Sequence, residues 1–186
     1  MTSMRAAGAF AQSSATGDLD ARSARAMRRV SAELLGARWS TIDPLPALPF
    51  GSDDLEFEHS ADTAGGAVAW GTRSRIQMEL AGGELDNGLD DDGNGLVDER
   101  SIVLVHDADL PSERRATILS GVGELLEGEL PNVLDDNGNG LIDEGGLSFS
   151  AQDGTLTIRL TVQRTGPGGR VLTRTQTLDL VLRNQG

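Results

Sequence analysis

Two seventeen-residue strings, GELDNGLDDDGNGLVDE at 83–99 and GELPNVLDDNGNGLIDE at 128–144, match at 13 positions without a gap and begin 45 residues apart. Each holds several glycines and a run of aspartate and asparagine, which disfavour both helix and strand interiors. They must therefore be surface loops, and they divide the chain into segments that have to supply the regular structure. The flanks of the two copies differ and no third copy exists, so the pattern is two insertions in one fold and not a solenoid.

The charge follows the same division. The chain has 186 residues and a net charge of −13. Glu84, Asp86, Asp90, Asp91, Asp92, Asp98 and Glu99 in the first string, with Glu129, Asp135, Asp136, Asp143 and Glu144 in the second, account for nearly all of it. The remainder is close to neutral, so the acid is a local device. An acidic surface argues against nucleic acid as a partner. No cysteine is present, which excludes disulfides, thiolate metal sites and cysteine nucleophiles. No run of about 18 apolar residues occurs, so no segment is expected to span a membrane unaided.

Leu19, Ala26, Met27, Val30, Leu34 and Ala37 recur at helical spacing behind the capping residues Thr16-Gly17-Asp18, which predicts an amphipathic helix over 18–38. Asp43-Pro44 to Pro49-Phe50-Gly51 ends it as a connector. The period then changes to two. Leu55, Phe57 and His59 alternate with Glu56, Glu58 and Ser60, and a turn at Ala64-Gly65-Gly66 leads to a strand over 67–80. Further strands are expected at 101–107, 116–126, 146–150, 155–164 and 170–183, the third and fourth of these joined by a turn at Asp153-Gly154. This predicts an α+β fold: an N-terminal helix and connector (1–43) packed on an antiparallel β domain (44–186) that carries the two insertions.

Within each string, oxygen-bearing side chains occupy every second position before a glycine. They are Asp90, Asp92 and Asn94, then Gly95, Leu96, Asp98 and Glu99; and Asp135, Asn137 and Asn139, then Gly140, Leu141, Asp143 and Glu144. Calcium takes six to eight oxygens at about 2.3–2.6 Å, and a tightly turning loop converges alternate side chains on one point. Glycine permits the turn, and the carbonyls of Leu96 and Leu141 would add an oxygen each. A solvated turn is the alternative, since Asp-Gly and Asn-Gly are ordinary turn formers. The pattern resembles the EF-hand calcium loop and the DxDxDG repeats of extracellular bacterial proteins. It departs at the twelfth position, Ser101 or Gly146, where a bidentate glutamate belongs, and no flanking helices are expected. Glu99 and Glu144 are the candidates for that missing ligand. The resemblance implies Ca2+ held at the affinity of extracellular modules, on the order of 10⁻⁴–10⁻³ M.

The order of elements is similar to the minor pilins and J-type pseudopilins of type IV pilus and type II secretion systems. Arg28–Leu35 closing an amphipathic helix, and the hairpin Thr155–Arg164 with Arg170–Arg183, carry that likeness. It implies a structural subunit of the cell envelope, periplasmic or extracellular, that packs its N-terminal helix against other pilin or pseudopilin subunits. The cleavage site, the glutamate of the mature terminus and the apolar half-helix are not in the sequence. Met1–Phe10 would be the tail of that half-helix, and membrane contact is expected only through an apolar helix upstream. A free-standing secreted calcium-binding adhesion or surface-layer module is the other reading. An envelope hydrolase with structural calcium has less support, because no nucleophile elbow, His-Glu-x-x-His spacing, P-loop or dinucleotide fingerprint occurs; no enzymatic role is expected. His59 and His106 are expected as satisfied sheet histidines, Trp39 and Trp70 as core or helix–sheet contacts, and Arg114-Arg115 as a solvated turn.

Overall fold

The computed structural model describes residues 2–64 and 67–182. One helix, α1 (Thr2–Leu35), is followed by β1 (Asp54–Ala64), β2 (Ala67–Leu80), β3 (Arg100–His106), β4 (Arg114–Val122), β5 (Leu147–Gln152), β6 (Thr155–Thr165) and β7 (Val171–Val181). All strands join one seven-stranded antiparallel sheet, so the fold is α+β with a helix packed on a sheet. Gly65, Gly66 and Arg183, at expected turn and strand ends, lie outside the described residues.

The helix starts sixteen residues earlier than the capping signal suggests. Thr16-Gly17-Asp18 sits inside it, because the preceding alanine-rich stretch has high helix propensity and carries the helix through Gly8 and Gly17. Its apolar stripe nevertheless begins only at Ala15. Ala15, Leu19, Ser23, Ala26, Met27, Val30 and Leu34 are buried in one line facing the sheet, whereas Gly8 and residues 10–14 are exposed, Phe10 to 77%. The C-terminal half of α1 thus packs on β4, β6 and β7, and the other half carries an exposed surface.

Two halves make the sheet. β1 to β4 form a meander, and β5, β6 and β7 form a second. β7 pairs along the whole of β6, so the opposite edge of β6 is shared by β5 and, through the single pair Val122↔Val162, by β4. Leu156, Ile158, Leu160 and Val162 alternate along β6 and are fully buried, meeting Leu55, Phe57, Ile76, Ile102, Leu104 and Phe149 in the main core beneath α1. β3 is buried on both faces, with Val103, Val105 and Ala108 forming a small second cluster.

The strand expected over 116–126 stops at Val122, and the reason is the junction between the halves. Gly123 donates its N–H to the Thr161 carbonyl, Thr161 donates to that of Gly146, and a Cβ on Gly146 would lie 1.9 Å from the Gly123 oxygen. Only glycine permits that approach. Trp39 packs against the main core as expected, and Trp70 lies under the Arg38 guanidinium at 5.2 Å. Arg114 and Arg115 open β4 and reach Asp107, Glu79 and Glu113 as surface ion pairs.

The burial contrast predicts the mutational response. Phe57→Ala should destabilise by about 3–5 kcal/mol, while Phe10→Ala should stay within about 0.5 kcal/mol; urea unfolding of the two variants is the measurement.

Candidate metal centres in the acidic loops

The strings fill the β2–β3 and β4–β5 connections and fold alike. Their aspartates divide into two roles. One set holds the backbone. Asp90 accepts the N–H groups of Gly93 and Gly95 at 2.8 and 2.9 Å, and Asp98 those of Asn87 and Gly88 at 3.0 and 2.7 Å. In the second loop Asp135 accepts from Gly138, Asn139 and Gly140, and Asp143 from Asn132 and Val133. Asp91 and Asp136 repeat the arrangement by accepting from the Asn87 and Asn132 side chains. Asp98 and Asp143 share a φ of 48°, and Val133 takes φ 64° where the first loop has Gly88 at 76°. A β-branched residue rarely adopts that conformation, so the loop path overrides the local preference.

The other set converges. Glu84, Asp92 and Glu99 each place a carboxylate oxygen within 4.8 Å of the other two. Glu84 Oε1 accepts the Asp92 N–H at 3.0 Å, and Asn94 Nδ2 donates to Asp92 Oδ2 at 2.9 Å and to Glu99 Oε1 at 2.5 Å. In the second loop Glu129 Oε1 accepts the Asn137 N–H at 2.9 Å, while the amides of Asn137 and Asn139 both donate to Glu144 Oε1. Three carboxylates and one amide therefore meet in the first focus; in the second, two amides gather on Glu144 while Glu129 holds the backbone of Asn137.

The glutamates decide the chemistry. Glu84 and Glu99 are 5% and 2% exposed, Glu129 and Glu144 7% and 4%, and the Oε2 atom of all four is buried with no hydrogen-bond partner. A buried carboxylate oxygen without a donor costs several kcal/mol. In the first focus, carboxylates within 4.8 Å of one another also repel by about 3–4 kcal/mol per pair at an effective dielectric near 20. A divalent cation among them reverses both terms. The donor set, carboxylates and amide oxygens without nitrogen or sulfur, suits a hard ion such as calcium. Asn94, Asn137 and Asn139 turn amide nitrogen toward the carboxylates while their Oδ1 atoms accept the N–H groups of Leu96, Asn139 and Leu141, so presenting oxygen to an ion gives up those backbone bonds.

Of the residues expected from sequence, Asp92, Asn94, Glu99, Asn137, Asn139 and Glu144 stand at the foci. Asp90, Asp98, Asp135 and Asp143 hold the loop backbone, and Leu96 and Leu141 enter as buried anchors. Glu84 and Glu129 were not expected. They precede a twelve-residue frame counted from Asp90 or Asp135, and their signal was their identity in both strings. Each loop carries its own focus, so the foci are two and not one.

The first loop is tied to β6 and the second to the connector that precedes β1. Thr165 Oγ1 on β6 donates to the Asn94 carbonyl at 2.7 Å, and the Ile142 N–H donates to that of Pro49 at 3.0 Å. The first focus opens on a cleft of about 410 Å³ that also involves Asp18 and Arg22 of α1 and Arg164 of β6. There Arg164 pairs with Asp18 at 2.6 Å and Arg22 donates to the Ser120 carbonyl at 2.9 Å. No protein-family model, curated protein or solved structure matches the chain.

A paired substitution separates the loops. Gly95 and Gly140 both have positive φ, 86° and 89°, but a Cβ at Gly95 would sit 2.5 Å from Thr165 Oγ1, whereas none lies within 4 Å of one at Gly140. Gly95→Ala should therefore cost about 1 kcal/mol more than Gly140→Ala, through loss of the Thr165 hydrogen bond, when both are unfolded in urea.

Proposed function

We propose that the chain is a structural subunit of the minor pilin or pseudopilin kind, stabilised by calcium held in the two repeated acidic loops. The observation that carries the metal part is the set of four buried glutamates whose second oxygen has no partner, two at each focus. A solvated turn has no use for buried, unpaired carboxylates, and the duplication extends to all four positions.

The subunit part rests on α1. Its C-terminal half lies in the core and its N-terminal half keeps an exposed surface at Gly8 and residues 10–14, the arrangement a helix needs to pack against neighbouring copies or related subunits. An antiparallel sheet under the buried half fits the same plan. The expected setting is the cell envelope, on its periplasmic or outer side, where free calcium is high enough to fill a weak site. Cysteine cross-linking in cells would test the packing: a cysteine at position 11 of α1 is expected to form adducts with other envelope subunits and one placed at the exposed Thr177 of β7 none, and adducts from position 177 alone would exclude it.

Calcium is tested directly. At about ten times its dissociation constant an ion adds about 1.4 kcal/mol per site, so millimolar calcium should raise the melting temperature by about 3–6 °C per filled site. The double variant Glu99→Gln/Glu144→Gln should melt higher than the parent in chelator, because buried charge is removed, and should lose the calcium shift. A parent protein that melts at the same temperature in calcium and in chelator would overturn the reading.

A further inference from the structure

The two histidines of the chain, 47 residues apart, meet on one face of the sheet with ring centroids 6.4 Å apart. His59 lies in β1, His106 ends β3, and Glu33 comes down from the last turns of α1. One ring nitrogen of each histidine and one oxygen of Glu33 fall within 4.8 Å of one another. We propose that Glu33, His59 and His106 form a second kind of metal site, for zinc or a similar late transition ion, which staples α1 to the sheet.

Three features of the surroundings prepare the donors. The β1–β2 register shifts between Glu58 and Ser60, so an irregularity sits at His59, and such irregularities re-aim side chains. Ser74 Oγ on the intervening β2 lies 3.3 Å from His106 Nδ1, which orients that ring and leaves Nε2 available, the kind of outer contact that ligating histidines keep. Glu33 uses Oε1 for Arg29 at 2.7 Å and turns Oε2 toward His59 Nε2 at 3.7 Å, with its side chain only 12% exposed and that of His59 28%. Half of the carboxylate is thus neutralised, and the other half faces two imidazoles.

Two nitrogens and one carboxylate oxygen are a zinc donor set with the fourth position left to water. Calcium would not choose it, since it takes oxygen alone. Tetrahedral zinc places its donors on the order of 3.4 Å apart, so Glu33 Oε2 and His59 Nε2, at 3.7 Å, are close to that spacing, and the other donors, within 4.8 Å, reach it by side-chain rotation. His59 Nε2 also meets the Glu33 carbonyl oxygen at 2.7 Å. The ion either exchanges with that contact or takes the other ring nitrogen. This site shares no residue with the acidic loops and does not depend on their reading.

The test keeps the full chain in saturating calcium, so that the oxygen sites of the loops are occupied, and adds cobalt(II) or zinc(II) alone. Cobalt should produce the strong visible absorption of a four-coordinate, nitrogen-containing site, which zinc abolishes and further calcium does not. His59→Gln and His106→Gln, checked for native circular dichroism, should each weaken zinc binding in calorimetry by at least about tenfold. A parent protein with neither the cobalt band nor zinc binding would overturn the proposal, and so would undiminished zinc binding in the His59→Gln/His106→Gln double variant.

Discussion

The burial of β6 is the contact on which the rest depends. Leu156, Ile158, Leu160 and Val162 leave water completely, and α1 closes over the same core with the line from Ala15 to Leu34. β6 uses both of its edges, one for β7 and the other for β5 and β4, so it joins the two halves of the sheet. Each fully buried aliphatic side chain contributes about 1.5–3 kcal/mol of transfer free energy. Because β6 also carries Thr165, which holds the Asn94 carbonyl, and Arg164, which holds Asp18, the same strand positions the first acidic loop and a part of α1.

Within the loops the balance is different. Little apolar surface is buried there beyond Leu96 and Leu141, and the path is set by aspartates accepting backbone N–H groups. These bonds satisfy donors that a glycine-rich turn would otherwise leave to water. The converging glutamates work against them by concentrating negative charge. The backbone carboxylates thus build the loop and the buried ones load it. The second loop carries the smaller load, because Asn137 stands where the first has Asp92.

What the sequence revealed and what it hid follow from range. The alternation in β1 and β6 and the helical stripe from Leu19 to Leu34 are local periodicities, and each is found in the fold. The first half of α1 was hidden because Thr16-Gly17-Asp18 imitates a cap, although a glycine in a strong helix costs only about 1 kcal/mol. Gly121 and Gly123, inside the strand expected over 116–126, stand at the crossing point of two half-sheets, which no local pattern encodes. Asp92 and Glu99 were legible from spacing, Glu84 and Glu129 only from their repetition. The meeting of His59 with His106 needed the pairing of three strands, and neither residue is remarkable along its own.

The contact between Gly123 and Gly146 also fixes how the second acidic loop can vary. Both ends of that excursion are pinned where two main chains touch, with the Cβ of any other residue at 146 overlapping a carbonyl oxygen at 1.9 Å. Residues can be exchanged, added or removed along the outer arc without disturbing the strands. At its two feet neither sliding nor side-chain substitution is open to the chain, so the excursion behaves as a cassette clamped at a fixed pair of mounts.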